Sequence, residues 1–159
     1  METMLEIEEE ISDYELERGK PMPSLAHAMT QLKLSLLISE YSDYVPLPEL
    51  SLDLQGFKPV PDIAVFLKST IQGRKDSLRI SEPPLLAIEI LSPKQALSDL
   101  FAKSDEYLTH GVEEVWVIIP EIQSITVCKR LSGQQTFISG DVRHGSTGIV
   151  VNIEKLFTA

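Results

Sequence analysis

Hydrophobic residues recur along this chain with two different periods. From Ser24 to Ser39, Leu25, Met29, Leu32 and Leu36 repeat at helical spacing, after Pro21 and Pro23 block helix and Ser24 offers a cap. The pattern predicts an amphipathic helix packed through that stripe. Leu50, Leu52 and Leu54 alternate with Ser51, Asp53 and Gln55, the period of a strand with one wet face, and Gly56 ends it. Past Pro59 and Pro61, the apolar run Ile63 to Leu67 predicts a second strand, entered directly from Asp62. Lys68 to Glu82 has no clear period and holds Lys68, Arg74, Lys75 and Arg79, which predicts a basic loop.

The run from Leu85 to Leu91 is apolar without alternation, as expected of a central strand buried on both faces, apart from one carboxylate at Glu89. Ser92-Pro93 breaks it. Helical spacing resumes from Gln95 to His110 through Leu97, Leu100, Phe101, Ser104 and Leu108, and Gly111 stops it. Val115 to Ile119 and Ile125 to Lys129, joined by a turn, predict a hairpin. Strand 85–91, helix 95–110 and strand 115–119 spell a βαβ unit, so an α/β fold with a mixed sheet covered by helices is expected.

Length and composition narrow this picture. The 159 residues suit a single domain spanning 1–159, and 43% apolar with 24% charged residues is a globular balance. The net charge of −10 argues against coating nucleic acid by bulk electrostatics. That acidity is concentrated, because residues 1–20 hold eight acidic and two basic side chains. Residues 1–13 are expected to form a flexible acidic arm. Cys128 is the single cysteine, so an intrachain disulfide and a cysteine-based zinc cluster are both excluded. The acidic start lacks a secretory h-region, and no segment has transmembrane length, which predicts a cytoplasmic protein without a membrane span.

Chemistry concentrates in two carboxylates. An ionised Glu89 in a buried strand must be paired, hydrogen-bonded or metal-bound, and its own strand offers no cation. The alternatives are an ordinary ion pair with a basic residue from elsewhere, or a site. Asp62 after Pro61 reads equally as a turn residue or as the second half of such a site. Two carboxylates on neighbouring strands can share a Mg²⁺ or Mn²⁺ ion with water and phosphate oxygens, the arrangement phosphodiester hydrolysis uses. Left empty, the pair would repel, and Asp62→Asn would then stabilise the metal-free protein. Lys103, four residues after Asp99, can hang over the sheet beside Glu89 or pair with Asp99 in solvent. No P-loop, dinucleotide-binding glycine fingerprint or zinc-protease motif occurs.

The blocks YELERGKPMP at 14–23, His27, PDIAVF at 61–66, AIEILSP at 87–93 and DLFAKSDEYLTHGVEEVWVIIPE at 99–121 together resemble a restriction-endonuclease-like family of bacterial proteins within the PD-(D/E)XK nuclease superfamily. The resemblance runs from about Tyr14 to Arg130. It implies a restriction-endonuclease-like mixed β-sheet flanked by helices, with a C-terminal β-hairpin extension, and DNA as substrate. It further implies a Mg²⁺ site at Asp62 and Glu89, with the Ile90 carbonyl as a third ligand. The superfamily lysine two residues after the glutamate is replaced by Leu91, and the family pattern moves it to the helix, at Lys103. Glu15 and His27 match further family positions, Glu15 as an additional ligand or else a solvated acid, His27 as a recurrent helix histidine or else a helix-face or core histidine with a satisfied hydrogen bond. The basic loop with Lys68, Arg74, Lys75 and Arg79 is the expected phosphate contact, or else merely solvated. A homodimer would place two centres on a duplex. The rival reading is a nuclease-fold module that binds nucleic acid or protein without turnover.

Overall fold

A computed structural model describes residues 12–158; the acidic arm lies almost wholly outside the described residues. In chain order the elements are α1 (Asp13–Arg18), α2 (Leu25–Ser39), β1 (Tyr44–Pro48), β2 (Ile63–Leu67), α3 (Lys68–Ile71), β3 (Leu86–Ile90), α4 (Leu97–Thr109), β4 (Glu114–Ile119), a 3₁₀ turn (Pro120–Ile122), β5 (Ser124–Lys129), β6 (Gly133–Phe137), β7 (Asp141–Arg143), β8 (Val150–Asn152) and α5 (Ile153–Phe157). β1 to β6 form one sheet in sequence order, and β7 pairs with β8 in a separate C-terminal hairpin. β3 and β4 are parallel, joined through α4, while the other neighbours in the large sheet run antiparallel.

The strand period sorts side chains onto two faces. Ile63, Val65, Leu86, Ile88, Ile90, Trp116 and Ile118 pack with Leu34 and Ile38 of α2 and with the C-terminal hairpin and α5. Ala64, Phe66, Ala87, Val115 and Val117 pack on the other face with Leu100, Tyr107 and Leu108 of α4. By the same alternation Glu89 belongs to the α4 face.

Two expectations are corrected here. The stretch 50–55 is not a strand: Leu52 and Leu54 make only isolated bridges, to Ile80 and Phe57, and Glu49 and Gln55 have φ near +50°. Its alternation reflects leucines buried one by one beneath the α4 face. The strand lies earlier, at β1, where Pro46 and Pro48 argue against it in sequence yet are tolerated because the strand is a sheet edge. The stripe expected to pack α2 is its exposed face, with Leu25 81% and Leu36 59% exposed. α2 buries His27, Thr30, Leu34 and Ile38 instead. The helix is apolar around most of its circumference, so two stripes compete, and the one containing polar residues faces inward.

Candidate active site

The register of the sheet brings the two carboxylates together. β2 and β3 pair Ile63 with Ile88 and Ala64 with Ala87, and one further step of that register sets Asp62 opposite Glu89. Directly opposed side chains of an antiparallel pair stand close, and like charges there are destabilising. Both residues are fully buried. The register between β1 and β2 adds a third carboxylate: Pro48 pairs with Ile63, and the Glu49 N–H donates to the Asp62 carbonyl at 3.3 Å.

The compensation comes from the N-terminal segment. Ser12 caps α1 and Gly19 ends it with φ at 69°, in the left-handed region that favours glycine, and Arg18 and Lys20 flank that turn. Both are buried. Lys20 Nζ donates to Asp62 Oδ1 at 2.7 Å and to Glu89 Oε2 at 3.0 Å. Arg18 spans Glu49, at 2.8 Å, and Asp62 Oδ1, at 3.1 Å, and also donates to the Pro21 carbonyl. Lys103 Nζ sits 3.0 Å from Glu89 Oε1, which also accepts the Tyr107 hydroxyl at 2.8 Å. The result is an alternating row, Glu49, Arg18, Asp62, Lys20, Glu89, Lys103, with three acids and three bases.

Other groups fix its orientation. The Ile90 N–H donates to Asp62 Oδ2 at 2.7 Å, tying the carboxylate to the end of β3. His27 Nε2 stands 3.1 Å from Asp62 Oδ1 without hydrogen-bond alignment, and among the described residues neither of its buried ring nitrogens has a hydrogen-bond partner. Burial alone would push the Asp62 carboxyl up; the close His27 contact and the Lys20 charge outweigh it and hold the group at about 2, below the ordinary 3.8. Burial would likewise lower the Lys20 ammonium, but Glu89 and Asp62 raise it above its ordinary value. Tyr107 is raised well above the ordinary tyrosine range by burial and then by the Glu89 charge. It is locked as a donor.

Lys20, Arg18, Glu49 and Tyr107 were not singled out from sequence. Tyr107 was legible as the residue one turn after Lys103 on a buried helix flank. Lys20 and Arg18 sit in an acidic segment that reads as solvated. The like-charge strain expected between Asp62 and Glu89 is absent, because Lys20 joins them. Glu15 is partly exposed and lies with Pro21, Met22, Ser24, Ser92, Pro93 and Lys94 around a cleft of about 270 Å³ that neither carboxylate lines. A second cleft, of about 370 Å³, adjoins it through Ser24, Ser92 and Pro93. Lys68, Arg74, Lys75 and Arg79 are exposed, and the segment leaves β2 at the end opposite Asp62. Five residues of strand, Ile63 to Leu67, separate Lys68 from Asp62, on the order of 20 Å.

The donor set fits a hard cation. Carboxylate oxygens of Asp62 and Glu89 converge on one positive centre, and the Lys20 ammonium stands in for it. Among the described residues no three His, Cys, Asp or Glu side chains group as a metal cluster, so an ion here would draw on two carboxylates, backbone oxygen and water, as Mg²⁺ commonly does. Among the described residues, no helix is long and apolar enough to cross a membrane.

Comparison with known proteins bears on the fold and the family. No curated protein matches the chain. A crystal structure described as a "putative nuclease belonging to DUF820" from Anabaena variabilis is similar at 26% identity over 86% of this chain and 83% of that one, with a TM-score of 0.78. The fold is that of this nuclease, a mixed sheet flanked by helices with a C-terminal strand hairpin. A family model described as "Uma2: Putative restriction endonuclease" matches residues 1–153, and the chain belongs to that family.

Proposed function

We propose that the protein is a Mg²⁺- or Mn²⁺-dependent endonuclease that hydrolyses phosphodiester bonds of DNA at Asp62 and Glu89. The observation that carries this reading is the opposed carboxylate pair, oxygen against oxygen around one cation, at the end of two central strands of a nuclease fold. Asp62 and Glu89 would hold the metal. The Ile90 carbonyl would assist, since a strand residue's N–H and C=O leave the same edge and its N–H already meets Asp62. When bound, the ion polarises the phosphoryl group and activates water.

The chain's own groups supply the rest. Lys103, the more exposed of the two lysines on Glu89, is positioned to orient water or phosphate beside the carboxylate. Tyr107 holds the glutamate in one rotamer by donating to Oε1. Ile90 N–H and Arg18 orient Asp62. His27 leaves a ring nitrogen for a further partner. The clefts beside Ser92 and Pro93 give a strand of nucleic acid a place to approach, and double-strand cleavage would use a homodimer with two centres.

The test is cleavage of plasmid and single-stranded DNA with Mg²⁺, Mn²⁺ or EDTA. Metal-dependent nicking by the wild type, abolished in Glu89→Gln, is the expected outcome. Cleavage persisting in Glu89→Gln, after contaminating nuclease is excluded, removes the glutamate from the mechanism. A second reading, a binding module without turnover, draws on the Lys20 contacts that fill the pair; binding of DNA without cleavage under every metal condition favours it.

A further inference from the structure

The oxygens of the carboxylate pair are already allotted. Asp62 Oδ2 accepts from the Ile90 backbone, and Glu89 Oε1 accepts from Tyr107 and contacts Lys103. The oxygens left to face each other are Asp62 Oδ1 and Glu89 Oε2, and Lys20 Nζ touches both. Lys20 is the basic side chain that contacts both acids; Arg18 reaches Asp62 and Lys103 reaches Glu89.

Charge points the same way. The row from Glu49 to Lys103 is neutral as it stands, and its acids and the two N-terminal bases are out of solvent apart from a partly exposed Glu49. A divalent ion added to that row leaves an excess of two positive charges in a place where desolvated charge is costly. An ion ligated by the two oxygens that Lys20 touches would also lie within a few ångströms of its ammonium, where repulsion is strong. Departure of Lys20 relieves the repulsion, and departure of Arg18 with it restores neutrality.

The segment that carries Lys20 is short and is held through its two buried bases. α1 has six residues, with Tyr14 and Leu16 exposed, and among the described residues it packs extensively on no other helix or strand. Among the described residues, the side-chain ion pairs that tie residues 13–20 to the body are those of Arg18 and Lys20. The next residues, Pro21 and Met22, form one wall of the cleft whose other wall is Ser92 and Pro93, just past Glu89.

We propose that Lys20 and the divalent cation compete for one position between Asp62 and Glu89, so that metal binds only as the Arg18–Lys20 segment withdraws. This rests on the metal-dependent reading above and adds to it a closed, metal-free state held by the protein's own lysine. Metal affinity is then set by how firmly this segment is seated.

The test is Mn²⁺ binding, followed by the electron paramagnetic resonance signal of free Mn²⁺, for the wild type, Lys20→Met, the double variant Lys20→Met/Asp62→Asn, and Lys155→Met as a control for net charge. Lys20→Met should bind Mn²⁺ at least ten-fold more tightly than the wild type and Lys155→Met should match the wild type. The double variant should lose the gain. Equal or weaker binding by Lys20→Met overturns the competition and leaves the metal reading standing; no binding by any protein up to millimolar Mn²⁺ overturns both. A measurement on the wild type covers the case in which Lys20→Met does not fold. In hydrogen exchange, saturating Mn²⁺ should speed exchange at residues 18–22 while β2 and β3 stay protected, and unchanged or slower exchange there, with Mn²⁺ bound, overturns the proposal.

Discussion

The two ends of β2 carry charge in opposite ways. At its start, Asp62 joins a row of acids and bases whose middle members are packed out of water, each reaching the next at 2.7–3.1 Å. At its far end, Lys68, Arg74, Lys75 and Arg79 project into solvent from one short, continuous segment. The exposed end has the charge that a composition profile notices. The buried end draws on positions 18, 20, 49, 62, 89 and 103, scattered through the chain, and only topology assembles them. Charge assembled from afar at a low-dielectric strand end interacts strongly, whereas clustered surface charge is screened. Substitutions at the two ends should therefore differ in kind as well as in size.

The largest effect is expected on activity. Glu89→Gln should reduce metal-dependent DNA cleavage to background, and Lys103→Ala should lower it far more than Lys155→Ala, measured as initial nicking rates. Equal losses for the two lysines would remove the reason to place Lys103 at the centre.

Stability comes next. Asp62→Asn removes the negative charge shared by Lys20 and Arg18 and leaves buried cations uncompensated, so it should destabilise the metal-free protein by about 3–5 kcal/mol. Chemical denaturation in EDTA measures it, and a stabilised variant would restore the picture of two acids in mutual repulsion. The acid limb of the stability profile should carry the same signature. Asp62 titrates at about 2 when folded and near its ordinary 3.8 when unfolded, so its contribution is complete above about 4 and is lost as pH falls towards about 2. Asp62→Asn should flatten that part of the curve, and an unchanged acid transition would show that Asp62 is not held by its neighbours.

Much of this contrast was legible in sequence and some could not be. The βαβ unit was readable because β3 is apolar on both faces and α4 has a clean stripe of Leu100, Ser104 and Leu108 bounded by Gly111. Asp62 and Glu89 stood out because a carboxylate at the mouth of or inside an apolar strand demands an explanation. Lys20 did not, since nothing local distinguishes a buried lysine among eight acids from a solvated one; its role exists only once Gly19 turns the chain against a strand end. β1 was hidden by its prolines, and β6, a polar edge strand reading GQQTF, carries no hydrophobic alternation to detect. The buried face of α2 was misread because its informative residues, His27 and Thr30, are polar.

The smallest effects belong to the exposed end, where the test is whether the basic segment meets DNA at all. Arg74 pairs with Glu82 on a surface where both side chains are partly solvated, and such a pair contributes at most about 1 kcal/mol. Arg74→Ala and Lys75→Ala should therefore leave the melting temperature nearly unchanged. If the segment contacts phosphates, each change should weaken DNA binding to a similar degree across sequences and reduce the slope of log affinity against log salt by about one, because one fewer counterion is released. The separation from Asp62, on the order of 20 Å, is several base steps of duplex, so such contacts would anchor a substrate whose scissile bond lies at the other end of the strand. Fluorescence anisotropy on a catalytically dead Glu89→Gln background, titrated between low and moderate salt, isolates binding from cleavage. A salt slope identical to that of the parent in both variants would assign the segment to solvent and leave recognition to the buried end alone.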